Sequence, residues 1–120
     1  ILGRWSEEFP RVTSMARERF GFRTEMAVMS RLDVMVAMDS GNMHLAALTG
    51  VPTVTVWGAT HPSMGFTPCG FDPSLAVQTP MACRPCSVFG NRPCRTSDYR
   101  CMTSITPEEI ISRVRETISK

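Results

Sequence analysis

No stretch of this 120-residue chain approaches the ~20 consecutive apolar residues that span a bilayer. Arg31, Asp33, Asp39 and His44 interrupt the most hydrophobic region, which excludes a membrane-spanning helix. A starting Met and a charged-then-apolar leader are also missing: Ile1-Leu2-Gly3-Arg4-Trp5 lacks the signal-peptide pattern and reads as the middle of a longer polypeptide. Long basic runs are absent. The 13 Lys+Arg are set against 11 Asp+Glu for a net charge of +2, so nothing demands a nucleic-acid partner. Internal repeats and low-complexity tracts are lacking too, which removes solenoids and biased linkers. With 42% hydrophobic and 20% charged residues, the composition is that of one globular domain around one core.

The pattern along the chain alternates between strand and helix. Ile1-Leu2-Gly3 followed by polar Arg4 to Glu8 reads as a strand end and loop. Val12, Met15, Ala16 and Phe20 stand at helical spacing after Pro10, and Glu25 to Arg31 reads as a short helix with Met26, Met29 and Ala27 inward. Val34 to Met38 is a continuous apolar run, as in a parallel strand covered on both faces. Ser40-Gly41-Asn42 turns out of it, and Met43 to Thr49 forms a helix stopped by Gly50. Thr53 to Trp57 is a β-branched strand ending at Gly58, so the two strands and their helix make a right-handed βαβ unit. Leu75 to Val77 is a short further strand. Thr106-Pro107-Glu108-Glu109 opens a terminal helix, 106–119, with Ile110, Ile111, Val114 and Ile118 on its buried face. The expected fold is α/β, a Rossmann-like parallel sheet flanked by helices, whose ligands bind outside the carboxyl ends of the strands. Chemistry is therefore expected at 3–8, 39–44 and 58–66.

Asp39-Ser40-Gly41-Asn42-Met43-His44 puts a carboxylate, a hydroxyl, a glycine and an imidazole where a strand end meets a helix N-terminus. The first helical turn there offers free N–H groups and the positive end of the helix dipole, which suits a phosphate. Gly41 lets the backbone come close, while Ser40 and His44 can donate. Two ordinary readings compete. Asp39 or Ser40 can simply cap the helix, and a lone helical His is commonly a partly buried core residue.

Asp39-Ser40-Gly41-x-x-His44-Leu45-Ala46-Ala47, Gly50-Val51-Pro52, the strand to Trp57 and Gly58-Ala59-Thr60-x-Pro62 together resemble the ADP-heptose:lipopolysaccharide heptosyltransferases, glycosyltransferases of the GT-B fold. Cys83-x-x-Cys86, Cys94, Arg100-Cys101-Met102 and Ile105 to Glu109 resemble the tail of many members. The resemblance implies that residues 1–120 are the nucleotide-sugar-binding C-terminal domain, with Asp39, Ser40, Gly41 and His44 at the diphosphate. It implies Gly3 and Glu7 near the nucleoside, with a solvated acidic pair at a helix start as the alternative for Glu7 and Glu8. Gly58 and Thr60 would line the sugar or phosphate side, or else a plain surface loop. The implied donor is an ADP-sugar, or a UDP-sugar in a related enzyme, and the acceptor is lipopolysaccharide core, reached through a missing domain that also holds the general base; a non-catalytic nucleotide-binding module and a zinc-stabilised interaction domain are the rival readings. The implied place is the cytoplasm at the inner membrane, with peripheral association, and transfer needs no metal. Where the family has a strand and loop between Phe20 and Glu25, only Gly21-Phe22-Arg23-Thr24 stand here.

Four thiols lie in the segment 81–102 at Cys83-x2-Cys86-x7-Cys94-x6-Cys101, with Cys69 left over. They could ligate a structural zinc, although only one step is a true C-x-x-C. Buried reduced thiols are the competing account, and disulfides the third, disfavoured in the reducing cytoplasm the resemblance implies. Arg84, Arg92, Arg95 and Arg100 make this the most basic part of the chain, a face for a phosphorylated acceptor or anionic membrane, or simply a solvated loop.

Overall fold

The computed structural model describes residues 1–89 and 91–119. Its centre is a three-stranded parallel sheet in the order β1-β2-β3, with β1 Met35–Met38, β2 Thr53–Trp57 and β3 Ala76–Gln78. Helix α3, Gly41–Thr49, carries the chain from β1 to β2, and the pairing Val36 with Val54 and Ala37 with Thr55 sets the parallel register. The expected βαβ unit is thus present. Gly50 ends α3 at φ 77°, a left-handed conformation that glycine adopts without a Cβ penalty.

Strand alternation splits the core into two layers. On one face Ala37, Met43 and Trp57 cluster with Phe71, whose ring meets Trp57 edge-on at 6.2 Å. On the other, Val54, Val56 and Val77 are covered by Ile110 and Val114 of α5, Pro107–Ile118. The buried Trp57 indole N–H is satisfied by the Thr55 hydroxyl at 2.9 Å. β2 is therefore the strand covered on both faces. β1 departs from the expectation: it lies at the sheet edge, and Val36 and Met38 are exposed because α5 packs on β2 and β3.

The first thirty residues depart more. Residues 2–8 are not a strand end and loop but helix α1, Leu2–Glu8, which buries none of its residues and packs against the short 3-10 turn Met15–Arg17. That turn replaces the helix expected over 10–20: of the periodic apolar positions only Met15 and Phe20 are half-buried while Val12 and Ala16 are exposed, too little cover to hold a helix. Helix α2, Phe22–Met29, starts earlier than expected, directly after Gly21, and buries Met29 while Ala27 stays exposed. The remaining helix, α4 Arg100–Thr103, closes the cysteine-bearing segment.

The entry into α5 is a full capping box: the Glu109 amide donates to the Thr106 hydroxyl at 3.2 Å and the Thr106 amide donates to the Glu109 carboxylate at 2.9 Å. Because α5 covers β2 and β3 on one face of the sheet, loosening its start weakens that layer. Thr106→Ala is expected to destabilise the chain by about 1 kcal/mol, seen as a lower urea midpoint with an unchanged slope.

Candidate functional site

Where parallel strands end, their last carbonyls have no ladder partner, and a buried carbonyl left unpaired is costly. Here one side chain meets that need. The Arg84 guanidinium donates through Nε to Gly58 O at 2.5 Å, through Nη1 to Thr79 O at 2.6 Å, and through Nη2 to Thr60 O at 2.8 Å, Gln78 Oε1 at 3.1 Å and Trp57 O at 3.3 Å. It thereby clamps the carboxyl ends of β2 and β3. Burial lowers its pKa from the ordinary guanidinium value, while nearby Cys101, Cys83, Cys86 and Asp39 pull it back up. Sequence reading placed Arg84 in a basic patch and missed this role, which no local pattern signals.

From that clamp the site is built outward. The Thr60 hydroxyl donates to Asp39 Oδ2 at 2.5 Å, joining the loop after β2 to the end of β1. Asp39 is thus committed across the sheet edge rather than to the helix that follows. Ser40 is the residue before α3, and its side chain makes no capping hydrogen bond. The simple helix-cap reading of Asp39 and Ser40 therefore does not describe this junction. A Cβ built on Gly41 would meet nothing within 4 Å, so the space beside Gly41 at the start of α3 is open. His44 stands one turn on and is exposed, not a core residue.

Beside this junction lies a cavity of about 420 Å³ lined by Asp39, Gly58 and Thr60 on the sheet side and by the 81–102 segment on the other. Gly58 packs closely against Met102: a Cβ there would fall 2.0 Å from the Met102 sulfur, so the flexible Met102 side chain would have to move. Ser40, Gly41 and His44 do not line the cavity, and neither do Gly3 and Glu7, which α1 carries elsewhere. The expected loop from Gly3 to Glu8 at the strand ends is corrected by that helix.

All four cysteines of the segment, Cys83, Cys86, Cys94 and Cys101, line the same cavity and are free thiols. Among the described residues, however, no three His, Cys, Asp or Glu side chains are disposed to hold a metal ion, so the tetrahedral set that the spacing allows is not assembled. The thiols differ electrically. Hydrogen bonds from Thr96 bring the Cys94 pKa down to about 7, whereas burial and then the neighbouring Cys86 and Cys94 push Cys101 up.

The sequence profile of glycosyltransferase family 9 (heptosyltransferase) matches residues 18–93, which contain the Asp39 junction, the loop after β2 and Arg84. The chain belongs to glycosyltransferase family 9. It is 29% identical over 86 residues to lipooligosaccharide heptosyltransferase 2 of Campylobacter jejuni serotype O:2, a match covering 72% of this chain and 26% of that protein. It is also 26% identical over 84 residues to the same-named protein of serotype O:6, covering 70% of this chain and 25% of the relative. The chain spans about a quarter of the length of the curated relatives it matches. No solved structure matches it. Among the described residues, no helix is long and apolar enough to cross a membrane.

Two outcomes follow from this family 9 site. Arg84→Met should destabilise the chain by about 3 kcal/mol, because it leaves partly buried carbonyls without a donor, and thermal denaturation measures the loss. Iodoacetamide labelling followed by peptide mass spectrometry should show Cys94 half-reactive near pH 7, since its thiolate fraction rises through a pKa of about 7. The raised Cys101 should stay unmodified throughout that range.

Proposed function

We propose that this chain is the donor-binding part of a heptosyltransferase, and that the diphosphate of a nucleotide sugar sits on the first turn of α3. The observation that supports this reading most is the uncapped helix start at Ser40 and Gly41, open to solvent at the carboxyl edge of the sheet in a chain of the heptosyltransferase family. The first N–H groups of a helix and its dipole favour an anion, and here no side chain from Asp39 or Ser40 competes for them. The Ser40 hydroxyl and the His44 imidazole add donors on the same turn. Such donors stabilise charge that builds on a diphosphate leaving group as the glycosidic bond breaks, so they act on transfer as well as on binding.

On this reading the donor is an ADP-sugar carrying heptose, and the acceptor is lipopolysaccharide core. The general base that deprotonates the acceptor hydroxyl is supplied by the part of the enzyme outside this chain, which makes residues 1–120 a binding domain without turnover of its own. Gly58 and Thr60 serve the site by shaping the loop beside the Asp39 carboxylate. The enzyme works on the cytoplasmic side of the inner membrane, in peripheral contact with it.

Calorimetric titration with ADP and UDP tests the placement. ADP should bind more tightly than UDP, and Gly41→Val should weaken ADP binding about tenfold, roughly 1.4 kcal/mol, by putting a branched side chain where the phosphate approaches. Ser40→Ala should cost about 1 kcal/mol for one hydrogen bond. Unchanged ADP affinity in a folded Gly41→Val chain sinks the site, and tighter UDP binding moves the donor to a uridine sugar.

A further inference from the structure

The arginines that line the cavity do not share one condition. Arg100 is held by Asp98 through Nε at 2.6 Å, and the Asp98 carboxyl, hydrogen-bonded by Thr96 and then Arg100, is lowered to about 2. No ion pair or hydrogen bond engages Arg92 or Arg95 among the described residues, although both line the cavity. An unpaired guanidinium is a fork of donors matched to phosphate or carboxylate. Opposite in character is the Asp39 carboxylate, which also lines the cavity and holds the Thr60 hydroxyl on Oδ2. Met38, Val88, Phe89 and Met102 supply apolar lining between these polar groups.

We propose that Arg92 and Arg95 are the anion-recognition pair of this cavity, and that its occupant is a phosphate-bearing sugar of the acceptor. A carboxylate suits sugar hydroxyls as donors, apolar and aromatic side chains suit the C–H faces of a pyranose, and two free arginines suit a phosphate; a sugar phosphate answers all three. A volume of about 420 Å³ lies in the range of small-molecule pockets. The assignment to the acceptor rests on the donor reading above: the donor's own phosphates already have the α3 turn, whose Ser40, Gly41 and His44 lie outside the cavity lining. The arginine pair is therefore a second anion site in the same cleft.

Titration of the chain with glucose 6-phosphate and with glucose, followed by heteronuclear NMR, tests this. Glucose 6-phosphate should bind at least about tenfold more tightly than glucose, and its affinity should fall as salt rises. Arg92→Gln and Arg95→Gln should each weaken it about tenfold, whereas Arg115→Gln on α5, with the same change of net charge, should not. Circular dichroism confirms that the variants fold. Saturating ADP should leave glucose 6-phosphate binding intact. Equal binding of the two sugars, or indifference to both arginine variants, overturns the anion pair. Displacement by ADP gives the pair to the donor and overturns the acceptor assignment. Failure of ADP to bind, with the arginine-dependent phosphosugar binding intact, rejects the donor reading while the anion pair stands.

Discussion

The clamp that Arg84 places on the carboxyl ends of β2 and β3 is what the rest of the site depends on. A three-stranded parallel sheet ends in carbonyls that its own ladder cannot satisfy, and in this chain the loops leaving those ends must also be shaped. One guanidinium does both, because its acceptors are Trp57, Gly58 and Thr60 on one side and Gln78 and Thr79 on the other. Fixing the Thr60 backbone fixes its hydroxyl, which in turn holds Asp39. Asp39 is the last residue before the turn into α3. The orientation of the helix start is thus tied, through two side-chain links, to a residue far along the chain. A lysine could not substitute, since an ammonium is a compact point charge without the planar fork that spans two strands.

The core explains why so little else is needed to hold this edge. β2 buries Val54 and Val56 against α5, and Thr55 and Trp57 against the α3 layer, so the strand that carries the Gly58 loop is the most constrained element. β1 is constrained on one side only. Its exposed Val36 and Met38 leave the Asp39 end of the sheet dependent on the β2 pairing and on the Thr60 bond.

Legibility in the sequence followed burial. β2 and α3 have apolar residues that do bury, α5 lays half-buried Ile110 and Val114 on the sheet while Ile111 and Ile118, expected inward, are exposed, and both helices carry a local terminator or cap: Gly50 after α3, and Thr106 with Glu109 before α5. β2 and α5 were readable with sound boundaries, whereas α3 starts at Gly41, inside the expected turn, rather than at Met43. Val12, Met15, Ala16 and Phe20 carry the same helical spacing, but a period predicts a helix only if a surface waits to receive it, and Val12 and Ala16 are exposed. Gly3 and Glu7 were misplaced in the opposite sense: read as a strand end and loop, they stand in α1, a helix that buries none of its residues. The junction at residues 39–44 was legible as a constellation, yet its decisive detail was not. Whether Asp39 caps the helix or reaches across to Thr60 is a choice between the adjoining helix turn and a partner 21 positions away, and only the second pairing is made.

The same limit governs the basic segment. Counted along the chain, Arg84, Arg92, Arg95 and Arg100 form one cationic cluster. Counted in space, Arg84 is spent on carbonyls and Arg100 on Asp98. Charge in a sequence is a sum, but charge available to a ligand is what remains after the fold has used its share. In this chain the remainder lies on the cavity wall, across from a carboxylate fixed by a neighbouring hydroxyl. The fold therefore leaves two kinds of donor near this edge, the uncapped N–H groups of the α3 start and the side chains of Arg92 and Arg95. Neither is visible in the net charge of +2.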